Sequence, residues 1–268
     1  MSSYSHFVLP YIDPIIFSIG PLKIRWYSLA YILGIITTLL WLKHVNKKTE
    51  SIMTEKAIDD WLLWAVLSVI IGGRLGYVLF YNFSYFFYNP LQIFAFWHGG
   101  MSFHGGLIGS VIGMYIFCKK NQINFWKLCD NLSVIAPIGL FLGRIANFIN
   151  MELYGRFTES RFGVIFPGAG NYPRHPSQIY EALLEGVLLF IILIICYKRW
   201  RLYKIYGILT SIFLVGYGVA RFFVEYFREP DSHIGFIFHY ITMGQILSLP
   251  IIIAGLIIGF LSVKSRIG

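Results

Sequence analysis

Seven times along this chain the residues run apolar for long enough to cross a lipid bilayer, at about 24–42, 61–80, 102–117, 129–147, 179–197, 205–226 and 240–263. Hydrocarbon offers no partner to a backbone N–H or C=O, so such runs must close their hydrogen bonds internally. At 1.5 Å per residue, about 20 residues in a helix match a ~30 Å apolar core. The expected fold is therefore all-α, a polytopic bundle of about seven transmembrane helices in a single integral-membrane domain over residues 1–268. Composition agrees, because 57% of residues are hydrophobic and 13% charged, against roughly 25% charged in soluble domains. Segment 91–97 is apolar but too short to cross alone and is expected to be interfacial or re-entrant. The opening MSSYSHFVLPYIDP lacks the basic start and long apolar run of a cleavable signal, so the first span is expected to be an uncleaved anchor and the chain to start near Met1.

A formal charge of +9 would suit a nucleic-acid partner, but the placement of the cations argues otherwise. Loops 43–60, 118–128, 198–204 and 264–266 hold 13 Lys and Arg, whereas the opposite side holds six: Lys23, Arg25, Arg156, Arg161, Arg174 and Arg228. Positive residues concentrate in cytoplasmic loops. This places the N-terminus outside, the C-terminus in the cytoplasm and the 148–178 loop on the extracytoplasmic side. Nucleic acid is not expected as a partner, and the basic run KRWRLYK at 198–204 reads as a topogenic loop. Cys118, Cys129 and Cys196 lie towards the cytoplasmic loops at no metal-ligand or redox spacing, and free thiols are expected.

Three arginines, Arg74, Arg144 and Arg221, fall inside spans, where a charge costs at least about 2.5–3.5 kcal/mol. All three sit in the outer halves of their spans. Snorkelling to the outer interface is one explanation, and a shared functional cavity is the other. Arg221 and Glu225 are four apart, and Arg144 and Asn147 three apart, so each pair shares a helix face. Tyr27 opens the first span on the outer side, His104 opens the third, and the outer loop carries Glu152, Arg156 and His175. Guanidinium groups in a low-dielectric cavity bind phosphate through bidentate, charge-assisted hydrogen bonds, and a phospholipid headgroup is the nearest phosphate. A histidine beside such cations would stay neutral and could accept a proton.

Each feature also has a plainer explanation. His104, ahead of a glycine-rich helix start, could be a structural hydrogen-bonder; Tyr27 and Trp26 could belong to the interfacial aromatic belt. Gly105, Gly109 and Gly113 form a stripe of small residues that serves close helix packing, which is the reading adopted for Gly109 and Gly113.

The segment GRIANFINMELYGR, Gly143 to Arg156, resembles the signature of the prolipoprotein diacylglyceryl transferase family. HGGLIG from His104, RHPSQIYEALLEG from Arg174, ARFFVEYFREPD from Ala220 and GGRLGYVLFYN from Gly72 resemble that family's other blocks in the same order, so the resemblance covers essentially the whole chain. One departure is Ala146, where the family more often has Gly. The resemblance implies a multi-pass enzyme of the bacterial plasma (inner) membrane whose active site faces the extracytoplasmic side. It would move the diacylglyceryl group of phosphatidylglycerol onto the lipobox cysteine thiol of a prolipoprotein, forming a thioether and releasing glycerol phosphate, the first step of lipoprotein maturation. The partners implied are phosphatidylglycerol, prolipoprotein substrates and membrane lipids.

A thiol with pKa ~8.5 needs a base, and His104 is the first candidate, with His175 its rival. Arg144 and Arg221 would clamp the phosphodiester as charge builds on it. Glu225 would orient Arg221, while Asn147, Glu152, Tyr27 and Arg74 would bind the lipid headgroup or brace the arginines. No cofactor or metal is expected: the chain lacks an H-E-x-x-H arrangement. The non-enzymatic alternative is a transporter or binding protein for anionic lipid, against which stand the absence of an apparent inverted repeat and the confinement of polar residues to one side.

Overall fold

In this computed structural model the described residues are 6–20, 22–48, 51–230, 235–237 and 240–267. Met1, the expected start, and Asp231 of the last quoted block lie outside them. The chain opens with β1 (Phe7–Val8) and a hairpin of β2 (Ile15–Ile19) and β3 (Leu22–Arg25), followed by α1 (Trp26–Lys48), α2 (Glu55–Phe80) and the short α3 (Phe83–Tyr88). Next come two single turns of 3-10 helix, Pro90–Phe94 and Phe96–His98, then α4 (Phe103–Lys120) and α5 (Phe125–Ile149). After β4 (Val164–Ile165), α6 (Ser177–Glu181) continues through a π-helical turn, Ala182–Leu188, into α7 (Leu189–Lys198). The chain ends with α8 (Ile208–Val224) and α9 (Met243–Ile267).

The greater part of each of the seven apolar runs is helical, although Ile24 and Arg25 belong to β3 and residues 205–207 precede α8. Five helices, Trp26–Lys48, Glu55–Phe80, Phe125–Ile149, Ser177–Lys198 and Met243–Arg266, are long and apolar enough to cross a membrane, and Ile208–Val224 is a shorter apolar helix. This is the architecture of a polytopic helical membrane protein. Segment 91–97 falls in the two 3-10 turns, too short to span.

The chain divides into two compact units, residues 39–128 and residues 1–38 with 129–268. In the first, α2 and α4 pack so closely that glycine is required at the seam. A Cβ added at Gly72 would lie 2.6 Å from the Gly109 Cα, and one at Gly76 would lie 2.6 Å from the Gly105 Cα. Trp64 Nε1 reaches over the same seam to the Gly113 carbonyl at 2.7 Å, and Trp61 packs on Phe117. Apolar side chains gain little by leaving lipid for one another, so close backbone approach and such polar contacts hold membrane helices together. The packing reading of Gly109 and Gly113 thus stands.

In the second unit, α8 packs along α9, where Ser211 Oγ donates to the Gly255 carbonyl at 2.7 Å. The N-terminus of α8 has Gly207 and no capping side chain of its own; Asp130 of α5 supplies one, accepting from Gly207 N (2.7 Å), Thr210 N (2.8 Å) and Thr210 Oγ1 (2.7 Å). A loop from 150 to 176 closes one end, held by parallel pairing of β1 with β4 and a cluster of Leu9, Val164 and Phe166 with Phe148, Met151 and Tyr154.

Two glycine substitutions separate packing from propensity. Gly→Ala within a helix ordinarily gains about 0.5–1 kcal/mol, and Gly139→Ala, with nothing within 4 Å of the new methyl, is expected to hold or raise the melting temperature in detergent. Gly109→Ala places its methyl 2.6 Å from the Gly72 Cα and is expected to lower it, by the equivalent of about 1–3 kcal/mol. Equal behaviour of the two variants would refute the seam.

Candidate active site

In the unit formed by 1–38 and 129–268, three helices place charged side chains at one level. Arg144 comes from α5, Glu181 and Glu185 from the α6 helix and its π-helical turn, and Arg221 from α8, with Glu225 and Arg228 just beyond. Four residues apart, Glu181 and Glu185 face the same side, and Gly186 lets their helix approach α5, since a Cβ there would lie 2.7 Å from the Phe141 Cβ. π-Helical turns interrupt helices at a cost and recur at functional sites.

Glu181 is the centre of the cluster. Its Oε2 lies 3.2 Å from Arg144 Nη1, and its Oε1 pairs with Arg221 Nη1 and, at 3.4 Å, with Arg228 Nη1. Glu185 holds Arg144 Nη2 at 3.2 Å, and Glu225 holds Arg221 Nη2 at 3.1 Å. Gly244, at the start of α9, lies under the Glu225 carboxylate, where a Cβ would meet the Oε atoms at 2.7 Å.

Burial within the cluster is unequal, and the inequality is informative. The Glu181 and Glu185 side chains are 0% exposed, whereas Arg144 and Arg221 keep 16% and 15% of theirs exposed. The carboxylates are sealed behind the guanidiniums, which carry five N–H groups each. Donors beyond those facing Glu181, Glu185 and Glu225 remain on both.

Beside this cluster, Asn147, one turn from Arg144 on α5, donates through Nδ2 to the Tyr27 hydroxyl and to Glu152 Oε1 at 3.3 Å. Glu152 also accepts from Asn150 Nδ2 at 3.3 Å, and its backbone carbonyl accepts from Gln178 Nε2 at 2.7 Å. Tyr27, Asn147 and Glu152 thus form one hydrogen-bonded set of polar groups suited to hydroxyls, and the carboxylates that brace Arg144 are Glu181 and Glu185.

The loop from 150 to 176 is anchored by arginines. Arg156 donates to the Arg228 carbonyl at 2.8 Å, and Arg174 lies 4.0 Å from the Phe157 ring centroid and 4.8 Å from that of Tyr154 while donating to the Gly155 carbonyl and pairing with Glu229 at 3.1 Å. His175 packs against Phe227 and Tyr180, with Nδ1 3.2 Å from the Tyr180 hydroxyl. Partial burial, and secondarily the Arg156 charge, hold its pKa below the usual histidine value.

The remaining two expected residues belong to the other unit, residues 39–128. His104 is the second residue of α4, exposed, its ring edge-on to Phe103. Arg74 is buried in α2 and donates to the carbonyls of Gln92 (2.7 Å), Ile93 (2.9 Å), Ala95, Gly99 and Gly100. Cys118, Cys129 and Cys196 are buried free thiols.

Sequence reasoning missed Glu181, Glu185 and the inward reach of Arg228. The signal was present: two glutamates four apart at the head of the apolar run EALLEGVLLFIILII, where unpaired acids would be as costly as unpaired arginines.

A helical membrane protein with an arginine pair presented on sealed carboxylates is the class that this fold and site define. The family model described as prolipoprotein diacylglyceryl transferase matches residues 14–261. Proteins named phosphatidylglycerol–prolipoprotein diacylglyceryl transferase are similar throughout: that of Rickettsia felis is 51% identical over 246 residues, covering 92% of this chain and 95% of the relative. That of Rickettsia africae is 50% identical over 257 residues, covering 96% and 98%. The chain belongs to the prolipoprotein diacylglyceryl transferase family.

Two expectations follow. Glu181→Gln removes the acid shared by three guanidiniums and is expected to destabilise the protein by about 3–5 kcal/mol, whereas Glu229→Gln, at a 45% exposed carboxylate, is expected to cost at most about 1 kcal/mol. Thermal unfolding in detergent would show the contrast. For His175 the folded pKa is depressed, so its contribution to stability is full above the unfolded value of ~6.5 and is lost as pH falls through the folded one. Between about pH 7.5 and 5.5 the wild type should therefore lose more melting temperature than His175→Gln; parallel profiles would count against this.

Proposed function

We propose that this protein transfers the diacylglyceryl group of phosphatidylglycerol to the lipobox cysteine of prolipoproteins, the first step of bacterial lipoprotein maturation. Family membership supports the reaction. The observation that carries the site is the pair Arg144 and Arg221, from different helices, braced on one sealed carboxylate with their outer edges exposed.

The reaction joins the cysteine sulfur to the glyceryl carbon and breaks that carbon's bond to phosphate oxygen. The bonding electrons leave with glycerol phosphate, and the thiol proton passes to a base. Arg144 and Arg221 clamp the phosphodiester and stabilise the departing phosphate. His104 is the base, and His175, neutral near pH 7, is its rival. Tyr27, Asn147 and Glu152 hold the headgroup hydroxyls, Glu225 orients Arg221, and Arg74, its donors taken up by carbonyls, reaches substrate only as a charge. The nucleophilic thiol is the substrate's own.

On this reading the chain crosses the bacterial inner membrane seven times as one integral-membrane domain, with the N-terminus outside and the C-terminus in the cytoplasm, and the site opens to the extracytoplasmic leaflet. The excess of Lys and Arg in the opposite loops supports that orientation.

The test incubates purified protein in detergent with phosphatidylglycerol and a lipobox peptide, and weighs the peptide by mass spectrometry. The wild type should add a diacylglyceryl mass. Arg144→Ala and Arg221→Ala, confirmed folded by gel filtration, should each lose activity about 100-fold or more. Lipid bound or moved without modification of the peptide would leave the transporter reading in its place. His104→Gln should likewise lose about 100-fold, and His175→Gln far less; near-normal activity of His104→Gln would remove it as the base.

A further inference from the structure

Arg74 donates to five backbone carbonyls, all from residues 92–100. Nε meets Ile93, Nη1 meets Gly99 and Gly100, and Nη2 meets Gln92 and Ala95. Its side chain is buried, with the guanidinium 5.0 Å from the Phe86 ring centroid. The segment it gathers consists of two 3-10 turns and two left-handed glycines, Gly99 (φ 76°) and Gly100 (φ 79°). The Gln92 and Ala95 carbonyls also accept the N–H groups of Ala95 and His98, at 3.1 and 3.3 Å, and one planar, five-donor group reaches all five carbonyls.

The same helix grips the residues that follow. The Gly73 carbonyl accepts the N–H of Ser102 at 2.9 Å, Ser102 Oγ caps α4 by accepting the N–H of Gly105 at 3.2 Å, and Gly105 lies directly against Gly76. His104 sits between these two fixed points. From Gly72 to Gly76, α2 holds the start of α4, and Arg74 in the middle holds the strap leading into it.

We propose that Arg74 is a positioning residue for His104: by tying the 92–100 backbone to α2, it sets the register at which α4 begins and the place from which the imidazole meets the substrate thiol. The proposal rests on the reading of His104 as the base. Lysine cannot replace the fork, because an ammonium has three donors and no plane. A displacement of about 1 Å in a catalytic group costs on the order of 100-fold in rate.

The experiment compares Arg74→Lys, His104→Gln and the double variant, as full-length protein in detergent, by steady-state kinetics and hydrogen exchange. Arg74→Lys should lower kcat at least about ten-fold with less than about two-fold change in KM for phosphatidylglycerol, and add nothing further in the His104→Gln background. Exchange should rise within 92–106 and stay unchanged in α8 and α9. A raised KM with additive losses would make Arg74 a substrate ligand and overturn the proposal, as would unchanged exchange at 92–106. Exchange rising throughout the chain would mark a merely structural residue and also overturn it. Near-normal activity of His104→Gln is the separate signature of failure of the base assignment, and it takes the proposal with it.

Discussion

A carboxylate sealed from solvent needs partners in place of the water it has lost, and Glu181 has three guanidiniums. The network ties both α5 and α8 to the α6 helix, since Arg144 and Arg221 each pair with Glu181. Three arginines and three glutamates, Glu181, Glu185 and Glu225, form a balanced set, so the cluster tolerates burial that a lone arginine would not. The acids lie innermost and the cations outermost. On the proposed function, that order lets a structure-stabilising cluster present a positive edge to an anion.

In the unit of residues 39–128 a buried arginine is met by acceptors of another kind. Arg74 is accommodated by the carbonyls of an irregular segment, so a buried charge is met by backbone acceptors. The same helix carries the seam, with Gly72 and Gly76 lying against Gly109 and Gly105. Close packing and polar satisfaction are thus parts of one arrangement.

The helices were legible because apolar length is a strong local signal, and most of each of the seven runs lies in a helix. Arg144, Arg221, Glu225 and Asn147 were legible because polar residues stand out within spans, and i,i+4 spacing correctly paired Arg221 with Glu225. The partners of Arg144 were not found, because Glu181 and Glu185 approach from a helix some forty residues away and only packing reveals the pair. The π-helical turn that carries Glu185 has no propensity signal; it follows from tertiary contact. The engagement of Arg74 by carbonyls was equally hidden, since sequence shows a charge inside a span but not the backbone that folds onto it.

Arginines already paired with glutamates bind a phosphodiester less tightly than free ones, and for catalysis that restraint is useful. On the proposed reaction the phosphorus group passes from a diester of charge −1 to a departing monoester approaching −2. A clamp partly neutralised by Glu181, Glu185 and Glu225 attracts the ground state weakly, and its attraction grows with each increment of charge on the leaving oxygen. Only interactions stronger in the transition state than before it accelerate the chemical step. Because the sealed carboxylates hold both forks in place beforehand, little of that gain is lost to reorganising them as the bond breaks. On that proposal, the acids that make the arginines tolerable in the membrane also direct their charge towards the transition state.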